Sequence, residues 1–326
     1  MTKKTGQRAA ESKRVRVAIA QSAPVYLDKR ASLKKALDLI QQAAKQDAGL
    51  VAFGETWLPG YPAWLDVCPG AALWENASAK EVFARLRSNS VTVPGEEVHA
   101  LSEAARDLKI AIVMGTSERV DDGPGNGTLY NSLLTISEDG RLRNHHRKLV
   151  PTYTERLVWG NGDGRGLEAV STSVGRIGGL ICWEHWMPLA RMAMHNSGEH
   201  IHVAVWPTVH ELHQLASRHY AFEGRCFVLA VGLMMPAADL PRELRDGATL
   251  PPGDTQWVER GGSAIIGPDT HYVLDPVFDR EELLVADLDL TQIDREMMTL
   301  DVSGHYARPD IFRFEKKEIQ ANLTGD

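Results

Sequence analysis

The sequence is short of cysteine, of excess positive charge and of long apolar runs, and each shortage removes a class of protein. Its cysteines are Cys68, Cys182 and Cys226, an odd and sparse set of 3 in 326 residues. That is no disulfide framework, so a reducing compartment, the cytoplasm, is expected. There is no Cys-x-x-Cys pair and no His-Glu-x-x-His motif. The closest approaches to ligand spacing, His200 with His202 and His210 with His213, lack the remaining donors of a zinc site, so no metal is expected. Lys and Arg number 36 against 43 Asp and Glu, a net charge of -7, which argues against a nucleic-acid partner. No apolar run reaches the roughly 18 residues of a membrane helix, so no membrane partner is expected. Residues 1–14 are polar and basic and lack the apolar stretch of a secretory signal; they read as a disordered basic tail.

What is there suffices for a large core. The chain is 43% hydrophobic, and its length fits one large α/β domain, placed at 15–310, followed by a tail over 311–326 that is flexible or sits at an oligomer interface. Apolar strands are predicted at 15–21, 50–55, 110–115, 131–137, 177–182, 202–206, 226–232, 262–266, 271–274 and 283–289. The segment 141–147 is read as a hairpin partner to the fourth of these. Helical spacing runs over 30–45, 96–108 and 212–225. The alternation, interrupted by hairpins, predicts layered α/β architecture with mixed sheets. Pro236 to Pro252 and Asp121 to Gly127 read as surface loops, and the glycine-rich Gly160 to Gly166 as another. No internal repeat is present.

Three segments share one grammar, an apolar strand followed by a polar residue and a structured loop. The first is Gly54-Glu55-Thr56-Trp57-Leu58-Pro59-Gly60-Tyr61-Pro62. A lone Glu at a strand end is usually a surface group, but one in an apolar pocket becomes a better base near neutral pH. The second is His145-His146-Arg147-Lys148-Leu149-Val150-Pro151, with Glu155 seven residues beyond Lys148. Such a basic cluster reads as a solvated hairpin edge unless Lys148 is held in a pocket, where its charge would lower a thiol pKa and stabilise developing negative charge. The third is Gly178-Gly179-Leu180-Ile181-Cys182-Trp183-Glu184-His185. A single buried cysteine is more often structural than reactive. At a strand-to-helix elbow, however, backbone N–H groups can stabilise its thiolate. Together Glu55, Lys148 and Cys182 supply the base, the cation and the nucleophile of thioester chemistry.

With these motifs in order, the chain resembles the nitrilase branch of the carbon–nitrogen hydrolase superfamily. Asp301-Val302-Ser303-Gly304-His305-Tyr306-Ala307-Arg308-Pro309-Asp310 looks like that family's C-terminal signature, and the resemblance runs from about Arg14 to Asp310. It implies a four-layer αββα sandwich, a Glu55-Lys148-Cys182 triad with Glu155 as a fourth carboxylate, and no cofactor. It also implies self-association as dimers or larger assemblies. The expected substrate is a small-molecule nitrile, hydrolysed to acid and ammonia with amide as a by-product. Cyanide degradation, aliphatic amide hydrolysis and a catalytically silent binding module of the same fold stand as alternatives. Trp183 is expected to lend its backbone N–H to the reacting atoms. Tyr61, Glu184, Trp206 and Pro207 are candidates for substrate contact, against the plainer reading of core packing. His146 and His185 read as structural hydrogen-bonders.

Overall fold

A computed structural model describes residues 13–250 and 256–317. The expectation of a disordered tail over 1–14 therefore falls mostly outside the described residues, and Arg14 already belongs to the first strand. The end of the C-terminal tail and the end of the 236–252 loop also fall outside them.

Two sheets carry the chain. The first contains β1 (Arg14–Gln21), β2 (Leu50–Phe53), β3 (Ala111–Arg119), β4 (Leu129–Ile136), β5 (Leu142–Arg147) and β13 (Glu282–Asp289), in the order β13-β1-β2-β3-β4-β5. The second contains β6 (Val170–Thr172), β7 (Gly175–Ile181), β8 (Ile201–Trp206), β9 (Phe227–Gly232), β10 (Met234–Pro236) and β11 (Trp257–Ile266), in the order β10-β11-β9-β8-β7-β6, with β12 (Tyr272–Phe278) also paired to β11. In each sheet three central strands run parallel: β1, β2 and β3 in one, β7, β8 and β9 in the other. Antiparallel hairpins extend both, which gives the mixed sheets that the alternation predicts.

The strand period of two sorts the apolar residues into two cores. Val17, Ile19, Leu50, Ala52, Ala111 and Val113 face the second sheet and join its residues in one cluster. Their neighbours Ala18, Ala20, Val51, Phe53, Ile112 and Met114 turn the other way, toward helices. Those helices include α1 (Lys29–Lys45), the short α2 (Trp64–Val67), α3 (Ala77–Asn89) and α4 (Glu96–Leu108). On α1, Asp28 caps the N-terminus by accepting from the Ala31 N–H at 3.0 Å, and Ala36, Ile40 and Ala43 form the buried stripe. Helices α5 (Pro188–Asn196) and α6 (Glu211–Gly224) lie outside the second sheet, and α7 (Thr291–Glu296) follows β13. The layers are helix, sheet, sheet, helix.

Helices α2, α3, α5 and α7 are additions to the helical ranges of the sequence reading. For α3 the signal was present: Asn76 accepts from the Ala79 N–H at 2.9 Å, and Ala79, Val82 and Leu86 recur at helical spacing. The 236–252 segment is not wholly a surface loop, because Leu240 and Leu244 are buried in the outer core of the first sheet. Asp301 to Asp310 forms turns that are largely exposed.

Candidate active site

Glu55, Lys148 and Cys182 each follow a strand end: β2, β5 and β7. Parallel strands put their carboxyl ends on one side, and a crevice there is the usual place for a site in an α/β fold. Each segment also holds one non-glycine residue in the left-handed region: Thr56 at φ 44°, Tyr153 at φ 45° and Cys182 itself at φ 50°. That conformation costs a side-chain-bearing residue roughly 1–2 kcal/mol, so the surrounding packing must hold it.

The packing is close. β3 passes so near the Glu55 turn that a Cβ on Gly115 would lie 2.0 Å from the Gly54 carbonyl oxygen. The Leu58 N–H donates to the Gly115 carbonyl at 3.1 Å, which holds the turn against β3. The glycine-rich stretch is indeed a loop, and it braces Lys148. The Gly162 N–H donates to the Lys148 carbonyl at 2.8 Å, and a Cβ on Gly162 would lie 2.1 Å from the Arg147 carbonyl oxygen.

Lys148 is fully buried. Its ammonium donates to Glu55 Oε1 at 2.9 Å and to Glu155 Oε1 and Oε2 at 2.9 and 2.7 Å. Asn131 donates to the same Glu55 oxygen at 2.7 Å, while Glu55 Oε2 is buried without a partner. Glu155 sits in a short 3-10 turn, Tyr153–Leu157, and also accepts from the Thr152 N–H at 2.8 Å and the Tyr61 hydroxyl at 2.9 Å. One donor atom from each of Glu55, Glu155 and Cys182 lies within 4.8 Å of the other two. That spacing could suit a metal, but the Lys148 ammonium already binds both carboxylates.

One cation serves two carboxylates and a thiol. Burial pushes Glu55 up to about 7; Lys148 opposes the shift and Glu155 adds to it. Burial works against the Lys148 ammonium, but Glu55, Cys182 and Glu155 outweigh it and hold its pKa above the usual range. Burial and Glu55 raise the Cys182 thiol well above its ordinary value, against the pull of Lys148 and a hydrogen bond from the Trp183 N–H. The resting nucleophile is therefore a thiol beside a base poised near neutral pH.

The structure divides the candidates for substrate contact. Tyr61 touches the cluster through Glu155, and Trp183, 44% exposed, lowers the thiol pKa through its backbone N–H. Glu184 is held from three sides: its carboxylate accepts from the Leu149 N–H at 2.8 Å, the Ile181 N–H at 2.7 Å and His146 Nε2 at 2.9 Å, so it clips the Lys148 segment to the Cys182 elbow. Trp206 is fully buried, stacked between His185 and His213 with centroids 4.6 Å from each. Pro207 is partly exposed and accepts from the Leu233 N–H at 2.8 Å. Asn131 was missed, because nothing in its own strand distinguishes it from any polar residue on a buried face.

A family model described as carbon-nitrogen hydrolase matches residues 16–295. A protein named nitrilase 2, from an unknown prokaryotic organism, is 40% identical over 303 residues, 92% of each chain. An aliphatic nitrilase of Sinorhizobium fredii (strain HH103) is 39% identical over 302 residues, covering 91% of this chain and 94% of that one. The crystal structure of a carbon-nitrogen hydrolase from Helicobacter pylori G27 superposes with a TM-score of 0.65 at 19% identity, over 91% of this chain and 96% of that one; at that identity the likeness speaks for the fold. Among the described residues no helix is long and apolar enough to cross a membrane.

Proposed function

This chain belongs to the carbon–nitrogen hydrolase family, and from that premise we propose that it is a nitrilase, converting an organic nitrile to the carboxylic acid and ammonia. The observation that carries the reading is the ionisable cluster: a thiol within 4.8 Å of a carboxylate that keeps one unpartnered oxygen, and an ammonium bonded to that carboxylate. The identity to proteins named nitrilase selects the nitrile over other carbon–nitrogen substrates.

Glu55 takes the Cys182 thiol proton as sulfur attacks the nitrile carbon. The proton passes to nitrogen, giving a thioimidate. A first water, losing a proton to Glu55, adds to that carbon. That proton passes to nitrogen to give an adduct bearing a hydroxyl and an amino group, and transfer of the hydroxyl proton to the amine then expels ammonia and leaves a thioester. A second water, activated in the same way, releases the acid and restores the thiol. The sum is one nitrile and two waters in, one acid and one ammonia out. Lys148 and the Trp183 N–H stabilise negative charge in each tetrahedral species, the type of interaction that contributes most to such reactions. If the carbon–sulfur bond breaks before the carbon–nitrogen bond in the first adduct, an amide leaves instead.

A panel of aliphatic, aryl and arylacetonitriles with an ammonia read-out tests the assignment. The expected result is acid and ammonia from at least one nitrile, and no release from a folded Cys182→Ala variant. Ammonia release that survives Cys182→Ala would remove cysteine from the mechanism. Hydrolysis of amides but of no nitrile would move the enzyme to the amidase reading.

A further inference from the structure

Behind the nucleophile lies a line of buried polar groups that the reaction above does not use. The Cys182 carbonyl oxygen is 2.7 Å from His185 Nδ1. His185 Nε2 is 3.0 Å from His202 Nε2, and His202 Nδ1 is 2.8 Å from Glu199 Oε2. His185 is 2% exposed and His202 not at all. His185 stacks on Trp206, and His202 stacks on Tyr220 at 3.8 Å between centroids. The far end is also engaged. Tyr220 bonds Glu199 Oε1, His195 lies between Glu199 and Glu223, and Arg191 bonds Glu223 and donates to the His185 carbonyl at 3.1 Å.

Counting protons fixes the direction of this line. Three contacts join four groups, and each needs one proton between two lone pairs. A carbonyl oxygen cannot donate, so His185 Nδ1 must. Burial and the neighbouring His202 hold His185 well below the usual imidazole range, so it is neutral and its single proton is the one on Nδ1. Its Nε2 is then bare and accepts from His202 Nε2–H. The third proton lies between His202 Nδ1 and Glu199.

The peptide that receives the first bond matters most. The Cys182 carbonyl and the Trp183 N–H are two ends of one planar unit, and that N–H is the backbone group that draws the thiol's pKa down. A hydrogen bond at the carbonyl end both orients the plane and polarises the N–H. We propose that His185, aligned by His202 and Glu199, is a positioning residue that aims the Trp183 N–H at the reacting atoms and holds Cys182 in its left-handed conformation. The proposal rests on the nitrilase reading for its kinetics, though not for its geometry. Neither histidine needs to touch substrate.

The test uses two variants of different reach. In His185→Asn the amide N–H falls near the position of Nδ1 and can still bond the Cys182 carbonyl; in His185→Gln it falls near Nε2 and cannot. The expected result is a kcat lower by ~10–100-fold in His185→Gln, somewhat less than loss of an oxyanion donor, with KM within about 2-fold; His185→Asn should recover to within about 3-fold. The rate at which iodoacetamide alkylates Cys182, followed by peptide mass, should fall in Gln and not in Asn, because the same N–H stabilises the thiolate. In the wild-type protein, [15N]histidine spectra should show His185 as the neutral Nδ1–H tautomer. Equal kcat and alkylation rates in both variants, or a proton on His185 Nε2, would overturn the proposal. If no nitrile is turned over at all, the functional reading fails, while the alkylation rates and the nitrogen spectrum still decide the positioning role.

Discussion

Glu55, just beyond β2, and Glu118, on β3, are both buried carboxylates, 0% and 1% exposed, and adjacent residues of one strand end serve them. Lys148 bonds Glu55, and Arg147 bonds Glu118. The two carboxylates nevertheless differ in character. Glu118 accepts from Ser132 at 2.7 Å, from His145 at 2.7 Å, and from Arg147 Nε at 3.0 Å and Nη2. Burial raises its pKa, but these donors outweigh burial and pull it down to about 2. Glu55 has two donors, both on one oxygen, and shares its cation with Glu155. It stands near 7. Burial is common to both, so the donor count separates a permanent anion from a base.

Three experiments press on that contrast. The largest effect belongs to Glu55→Gln, which keeps size and removes the base: kcat should fall by ~10²–10⁴-fold with the fold intact by circular dichroism. A variant that keeps more than a tenth of wild-type kcat would show that another group takes the thiol proton. Next comes the acid limb of the wild-type profile. Glu55 accepts a proton only while ionised, and its ionised fraction falls as pH drops through about 7. kcat/KM should therefore decline below that pH; a profile flat from pH 8 to 5 contradicts it. The smallest effect on activity is expected from Glu118→Gln, with kcat within about 2-fold of wild type and the acid limb unmoved, while losing charged hydrogen bonds should cost about 2 kcal/mol of stability in urea. A carboxylate with a lowered folded pKa stabilises above its unfolded value and loses that contribution as pH falls toward the folded one. The stability gap between wild type and Glu118→Gln should therefore shrink as pH is taken below ~4.5 toward 2. A gap that widens would mean that Glu118 is not the anion its partners imply.

Much of this was legible beforehand. Apolar runs placed β1, β2, β8, β9 and β13, and the hairpin reading placed β5, within a residue or two of their observed limits, because a short apolar run bounded by polar or turn residues is a local property of the sequence. The basic run His145-His146-Arg147-Lys148 shows where legibility stops. It reads as one charged edge, yet the pleat sends His145 and Arg147 to Glu118, while His146 goes to Glu184 and Lys148 to Glu55 and Glu155. Neither destination follows from the run itself, since Glu55 lies 93 residues from Lys148 and Glu184 lies 38 from His146. Glu184 shows the same limit: a residue beside a nucleophile in sequence can face it or turn its back, and at this elbow the Glu184 carboxylate turns to Leu149, Ile181 and His146.

The sequence by itself determined which chemical groups stand at the strand ends, where the strands run, and which family the motifs resemble, because residue type, alternation and spacing are one-dimensional properties. Only the tertiary structure decided that Glu55 keeps a free oxygen, that Glu184 is a clip, and that His185 stands behind the Cys182 peptide. Those outcomes depend on how many donors from distant segments converge on one buried atom, and on the loss of water that makes each donor count.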